Sequence, residues 1–231
     1  MGRCLYRAKP RSSGDCSNNV QMTKLPSLLF HLAEAPNQQS IEQLGLLSAA
    51  DLIERAGLPT VWCEKHRPHR LILPNGVVIR DQKPMPPATL ERCLRGMTPG
   101  AWYRLLNSKI FLWLDLKRLH RQRNACGPLT QILYVVKTDR LLERYATSVT
   151  LAPINSGNAR RRPAARGLKT FVPYPDWVQQ GWHSEAEERG GQVRLRSHAP
   201  VEFTVSRAIP DWMEFVVEVH VMRPGEPFPH L

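Results

Sequence analysis

The chain has no run of about 18 consecutive apolar residues, so the sequence offers no membrane span. It has no Cys-x-x-Cys, and its five cysteines (Cys4, Cys16, Cys63, Cys93, Cys126) are far apart and odd in number. That usage argues against a disulfide framework or a paired-cysteine zinc site, and suits free thiols in a reducing, cytoplasmic setting. No glycine-rich turn follows a predicted strand, which leaves no place for a Rossmann or P-loop nucleotide site. The first residues also lack a signal peptide's apolar middle. Residues 1–21 read instead as a disordered basic arm, with Met22 an alternative start.

Positive charge, by contrast, is abundant. A net charge of +12 points to an anionic partner, most often DNA or RNA held through phosphate neutralisation. One basic group is Lys117, Arg118, Arg121 and Arg123; another is Arg160, Arg161, Arg162 and Arg166. The other reading of this charge is a solvated, arginine-rich face. Cys63, His66 and His69 have a spacing that would permit a metal, but no second ligand pair accompanies them and Lys65, Arg67 and Arg70 crowd them. The segment reads as a surface loop, and no metal is expected.

The hydrophobic pattern predicts strands at Leu28–Leu32, Val77–Arg80, Lys109–Leu114, Thr130–Val136, Ser148–Leu151, Val201–Ser206 and Phe215–Met222. Helices are predicted near Asn37–Leu44, over Ala49–Ala56 capped by Ser48, over Thr89–Arg95, after Thr98-Pro99, in the basic stretch to Asn124, and around Leu141–Tyr145 capped by Thr138 or Asp139. The segment 176–191 reads as helical or partly mobile, and 224–231 as a Pro-rich tail. Without a regular strand-helix-strand rhythm, residues 22–223 form a single α+β domain.

Three residues can carry chemistry. His31 lies inside an apolar strand, either as a core histidine bonded to backbone or as a ligand contact. Arg80 ends a strand, where its fixed fork of donors suits a diphosphate or an ion pair with Asp81. Alternation in Val201-Glu202-Phe203-Thr204-Val205 puts Glu202 and Thr204 on one face, away from the apolar side. A single carboxylate facing an oxocarbenium-like ribose is what glycosyl transfer from NAD requires.

The order of Phe30-His31, a helix ending Gly45-Leu46-Leu47, strand-end Arg80 before Pro84, and late Glu202-Phe203-x-Val205 resembles the DarT-like DNA ADP-ribosyltransferases. The resemblance implies a fold of split antiparallel sheets with flanking helices. It further implies an ADP-ribosyltransferase that uses NAD as substrate, with Glu202 and Arg80 catalytic and His31 and Arg80 on the nucleotide. Apart from the resemblance, Tyr103, Asn155 and Ser156 are assigned to the nucleotide site from the residues themselves; the other readings are a half-exposed Tyr103 and a plain hairpin element at Asn155-Ser156-Gly157. Trp177, Trp182 and Arg160, Arg161 and Arg162 would meet the acceptor, preferably nucleic acid. An antitoxin-like protein partner is implied too. The chain departs from that family after Arg80, where Trp102-Tyr103 and Phe111-Leu112-Trp113 replace an aromatic-proline run. Met22–Met222 also resembles an uncharacterised bacterial domain family, in Ile79-Arg80-Asp81-Gln82, Asn155-Ser156-Gly157 and Arg166-Gly167. The alternative function is a non-catalytic nucleic-acid-binding or toxin–antitoxin-type interaction protein on the same fold.

Overall fold

Apolar, β-branched stretches become strands, and they pair with little regard for chain order. The computed structural model describes residues 24–160 and 163–229. Its elements are β1 (Leu28–Glu34), α1 (Gln38–Leu44), α2 (Ala49–Arg55), β2 (Leu71–Ile72), β3 (Val78–Ile79), α3 (Pro87–Glu91), α4 (Pro99–Asn107), β4 (Lys109–Trp113) and α5 (Leu116–Ala125). There follow β5 (Gln131–Lys137), α6 (Thr138–Tyr145), β6 (Val149–Ala152), β7 (Val172–Pro173), α7 (Tyr174–Gln180), β8 (Glu202–Ser206) and β9 (Val216–Met222). Seven strands form one sheet in the order β7-β6-β8-β4-β1-β5-β9, with antiparallel neighbours throughout, while β2 and β3 form a separate hairpin. The fold is α+β.

The sheet is split. β1 pairs with β5 along its whole length, from Leu28↔Lys137 to Glu34↔Gln131, but meets β4 only at Phe30↔Trp113. The halves β1-β5-β9 and β4-β8-β6-β7 therefore join at one point. Beside that joint, His31 Nδ1 spans the opening to the Phe111 carbonyl at 3.0 Å.

Burial explains why the halves hold together. Leu29, Tyr134, Phe203, Val205, Trp177, Trp182 and Trp212 share one core that spans both halves. On the opposite face Phe30, Leu32, Leu133 and Val135 pack against Leu119 of α5. A third cluster, with Trp102, Tyr103 and Phe171, supports α4. Ser48 forms a reciprocal capping box with Asp51, as the sequence predicts. Thr138 does not cap α6; its hydroxyl donates to the Pro26 carbonyl at 2.6 Å, tying the chain before β1 to the end of β5.

Several expectations need correction. The 59–74 segment is not a plain surface loop: Cys63 is buried with Ile53, Leu73, Val77 and Ile79. Arg123 is buried rather than part of an exposed basic group, donating to the Leu129, Met222 and Arg223 carbonyls. The 176–191 segment is helical in part, as one of its two readings has it, with the end of α7 and a 3-10 helix at Ser184–Arg189. In the Pro-rich tail, Phe228 stacks on His120 at 3.9 Å. The proposed arm 1–21 lies outside the described residues. No helix among the described residues is long and apolar enough to cross a membrane.

Candidate functional site

Strand register sets the floor of the site. Trp113, Glu202 and Ala152 stand opposite one another across β4, β8 and β6, and Phe111, Thr204 and Thr150 form the next row. Above this floor lies a cleft of about 820 Å³, within the usual range for small-molecule sites. Its walls come from α5 (Gln122, Ala125) and its C-cap Cys126, the end of α4 (Leu106, Asn107), the stretch after β3 (Arg80 to Met85) and the turn Asn155-Ser156-Gly157. Five cations (Arg67, Arg70, Arg80, Lys83, Arg160) line it against three carboxylates (Glu34, Asp81, Glu202), a balance that favours an anionic ligand.

Glu202 is 4% exposed. Its Oε1 accepts the Ser156 amide at 3.1 Å, while Oε2 has no hydrogen-bond partner among the described residues. Burial pushes its pKa up to about 7, against the opposing pull of Ser156 and of the Arg166 and Arg118 charges. Arg166, 1% exposed, holds the turn from behind, donating to the Ser156 carbonyl at 2.9 Å and to the Ala164 carbonyl at 3.1 Å. Burial lowers the Arg166 pKa. The Asn155-Ser156-Gly157 turn is thus fixed between a buried cation and a buried carboxylate.

Arg80 stands on the opposite wall, 3.7 Å from Glu34 and bonded to the Cys126 thiol at 2.6 Å. Glu34 is buried and also lies 4.0 Å from Arg70. Arg67 donates to the Arg80 carbonyl at 2.7 Å and to Asn107 Oδ1 at 3.1 Å, leaving Nη1 buried without a partner among the described residues. Burial lowers the Arg67 pKa to about 10, so it stays cationic. Asn107 in turn donates to the Cys63 carbonyl at 2.8 Å, which locks this corner.

His31 lines an adjoining pocket of about 160 Å³ that shares Glu34, Ile79, Arg80 and Phe111 with the main cleft. Since a carbonyl can only accept, the Phe111 contact assigns the proton to Nδ1 and leaves Nε2 as an acceptor. Burial lowers the imidazole pKa to about 4, with the Phe111 bond opposing and Arg80 adding to the shift, so the ring is neutral near pH 7. Lys109 lines the same pocket, bonded to Thr150 Oγ1 at 3.1 Å, and burial lowers its pKa to about 8.

Of the residues nominated from sequence, Arg80, Glu202, Asn155, Ser156 and Arg160 line one cleft, and His31 its neighbour. Tyr103 does not join them. It is 2% exposed and donates its hydroxyl to the Met85 carbonyl at 2.6 Å, bracing the wall from within the core. Trp177 and Trp182 are buried in the main core, where no base can stack on them. Arg161 and Arg162 lie outside the described residues.

Sequence reasoning gave no site role to Arg67, Glu34 or Trp113. Glu34 carried a readable signal, an acid on the same strand face as apolar Phe30 and Leu32. Arg67 carried none, being one of several cations in a loop. Among the described residues no group of three His, Cys, Asp or Glu side chains is placed to hold a metal; His66 contacts the Gln82 carbonyl at 3.0 Å.

No curated protein matches the sequence. A family model does match, over residues 27–216, which run from the start of β1 to the start of β9 and include every cleft residue named above. On that match, the chain belongs to DUF7002, a family of unknown function.

Proposed function

We propose that the chain transfers ADP-ribose from NAD to an acceptor, nucleic acid by preference, with Glu202 as the catalytic carboxylate. The observation that carries this reading is the free Oε2 of Glu202 among the described residues, buried at the base of a cation-rich cleft. A carboxylate in that position is costly until a positive charge forms beside it. When the nicotinamide–ribose bond breaks, nicotinamide leaves with the bonding electrons and the ribose becomes oxocarbenium-like. Glu202 then gains a partner that is absent in the ground state, which is the condition for lowering a barrier. Such a group typically supplies two to three decades in rate, about 3–4 kcal/mol.

The remaining residues suit the rest of the dinucleotide. Arg80, with Arg67 Nη1 beside it, supplies donors for the diphosphate. His31 Nε2 offers an acceptor toward a ribose hydroxyl, the role implied by the resemblance to DarT-like enzymes. Ser156 Oγ, buried without a hydrogen-bond partner among the described residues, adds a donor next to Glu202. The acceptor then attacks the ribose carbon and loses its proton, which Glu202 can take. Exposed Arg160 at the rim, with the overall charge of +12, supports a polyanionic acceptor.

The test is nicotinamide release from NAD by purified protein, alone and with single- or double-stranded DNA or RNA, beside Glu202→Gln. Release that the variant loses while still binding NAD supports the reading, and stimulation by one polymer identifies the acceptor class. Release equal in the variant would remove Glu202 from the chemistry; neither release nor NAD binding would leave a non-catalytic interaction protein.

A further inference from the structure

We infer that a basic groove on the outer side of α5 carries the phosphate backbone of single-stranded nucleic acid. The groove, about 530 Å³, is lined by Lys24, Lys117, Arg118 and Arg121, with Leu25, Pro26, Leu114, Ala199 and Pro200 as its apolar wall. Its one acid among the described residues, Asp115, is already engaged: it accepts the Arg118 amide at the start of α5 and pairs with the Arg118 guanidinium. Lys24, Lys117 and Arg121 are exposed and make no hydrogen bond or ion pair among the described residues. Lys117 and Arg121 are one helical turn apart, a rise of about 6 Å, on the same side of α5.

Location ties the groove to the cleft. α5 is their common wall, with Lys117, Arg118 and Arg121 on the groove side and Gln122, Ala125 and the C-cap Cys126 on the cleft side. Leu114 directly follows Trp113, and Pro200 comes two residues before its cross-strand partner Glu202. Arg118 is near enough to Glu202 for its charge to act on that carboxylate. A strand lying in the groove therefore runs along the β4 and β8 ends that position Glu202.

The chemistry of the groove selects the occupant. Three unpaired cations (Lys24, Lys117, Arg121), with Arg118 paired to Asp115, stand beside an apolar wall and suit a ligand that is anionic on one side and apolar on the other. An unpaired strand presents both, whereas a duplex hides its base faces. The charges line a concavity, which a membrane surface cannot enter. No aromatic side chain among the described residues lines the groove, so binding is insensitive to sequence and strongly sensitive to salt.

The inference rests on the transferase reading only for where the strand leads, and its test separates the two. Fluorescence anisotropy would follow a labelled mixed-sequence 15-mer of single-stranded DNA across a salt series, for the full chain and for the double variant Lys117→Ala/Arg121→Ala. Both side chains are exposed, and a thermal melt checks folding. The expected result is binding weaker by about tenfold at low salt, with a salt slope shallower by about 1.4, or about 0.7 for each lost phosphate contact. Nicotinamide release without acceptor should be unchanged. An affinity and slope equal to wild type would overturn the inference. So would a variant that loses binding to phosphatidylserine vesicles but not to the oligonucleotide. If the variant loses DNA while the wild type never releases nicotinamide, the groove stands and the transferase reading falls.

Discussion

The Ser156 amide donates to Glu202 Oε1 at 3.1 Å, and it is the only hydrogen bond the carboxylate receives among the described residues. Burial outweighs this bond together with the pull of the Ser156 side chain and of the Arg166 and Arg118 charges, so the Glu202 pKa rises to about 7 from an ordinary 4.5. Folding therefore takes up a proton between about pH 4.5 and 7, and the Glu202 contribution to stability falls as pH rises through that window. Holding the carboxylate ionised in the folded protein above pH 7 costs about 3 kcal/mol. Glu202→Gln should thus raise the melting temperature at pH 8 and change it little at pH 4. Nicotinamide release, needing the ionised carboxylate, should rise with a midpoint near pH 7.

His31 acts in the opposite direction. Its unfolded imidazole takes a proton near pH 6.5 and its folded one only near 4, so stability is lost as pH falls through that interval. Between about pH 4.5 and 6.5 the two groups offset each other. Denaturant titrations should show Glu202→Gln more acid-sensitive than wild type in that range, because the variant keeps the histidine contribution alone. A pH dependence identical to wild type would show that Glu202 does not hold its proton in the folded state.

Arg166 positions Glu202 through Ser156 and does not itself line the open cleft. Arg166→Gln removes a buried cation and leaves the Ser156 and Ala164 carbonyls short of their donor. A stability loss of about 3 kcal/mol or more is expected by calorimetry. The informative readout is the pH profile of nicotinamide release: losing a nearby positive charge should move its midpoint upward. A merely structural arginine would lower activity without moving that midpoint.

Sequence legibility tracked how local each signal was. β1, β4, β5 and β8 follow from alternation or continuous apolar runs, and the Ser48 cap follows from its own neighbours. The joining of Arg80, Ser156 and Glu202 in one cleft depends on β8 lying between β4 and β6, a long-range pairing no window of residues encodes. β2 and β7, two residues each, are too short to have a period. The placement of Tyr103 and the two tryptophans follows from contacts far along the chain. The Tyr103 hydroxyl and the Trp182 indole find carbonyl partners inside the core, and Trp177 is buried by ring packing alone, its indole nitrogen having no hydrogen-bond partner among the described residues.

Trp182 tests that last point. It is fully buried and donates its indole N–H to the His198 carbonyl at 2.9 Å, which binds the turn after α7 to the segment leading into β8. It also packs edge-to-face on Trp177 at 6.1 Å and on His198 at 6.0 Å. Trp182→Phe removes the donor and part of the packing, so stability should fall by about 2 kcal/mol. A surface tryptophan stacked on a base would behave in reverse, costing about 1–3 kcal/mol of oligonucleotide binding and little stability. Measured well below its melting transition, the variant should bind single-stranded DNA as tightly as wild type while melting at a lower temperature. Weaker binding with an unchanged melt would return Trp182 to the acceptor site and require the segment before β8 to open when the strand binds.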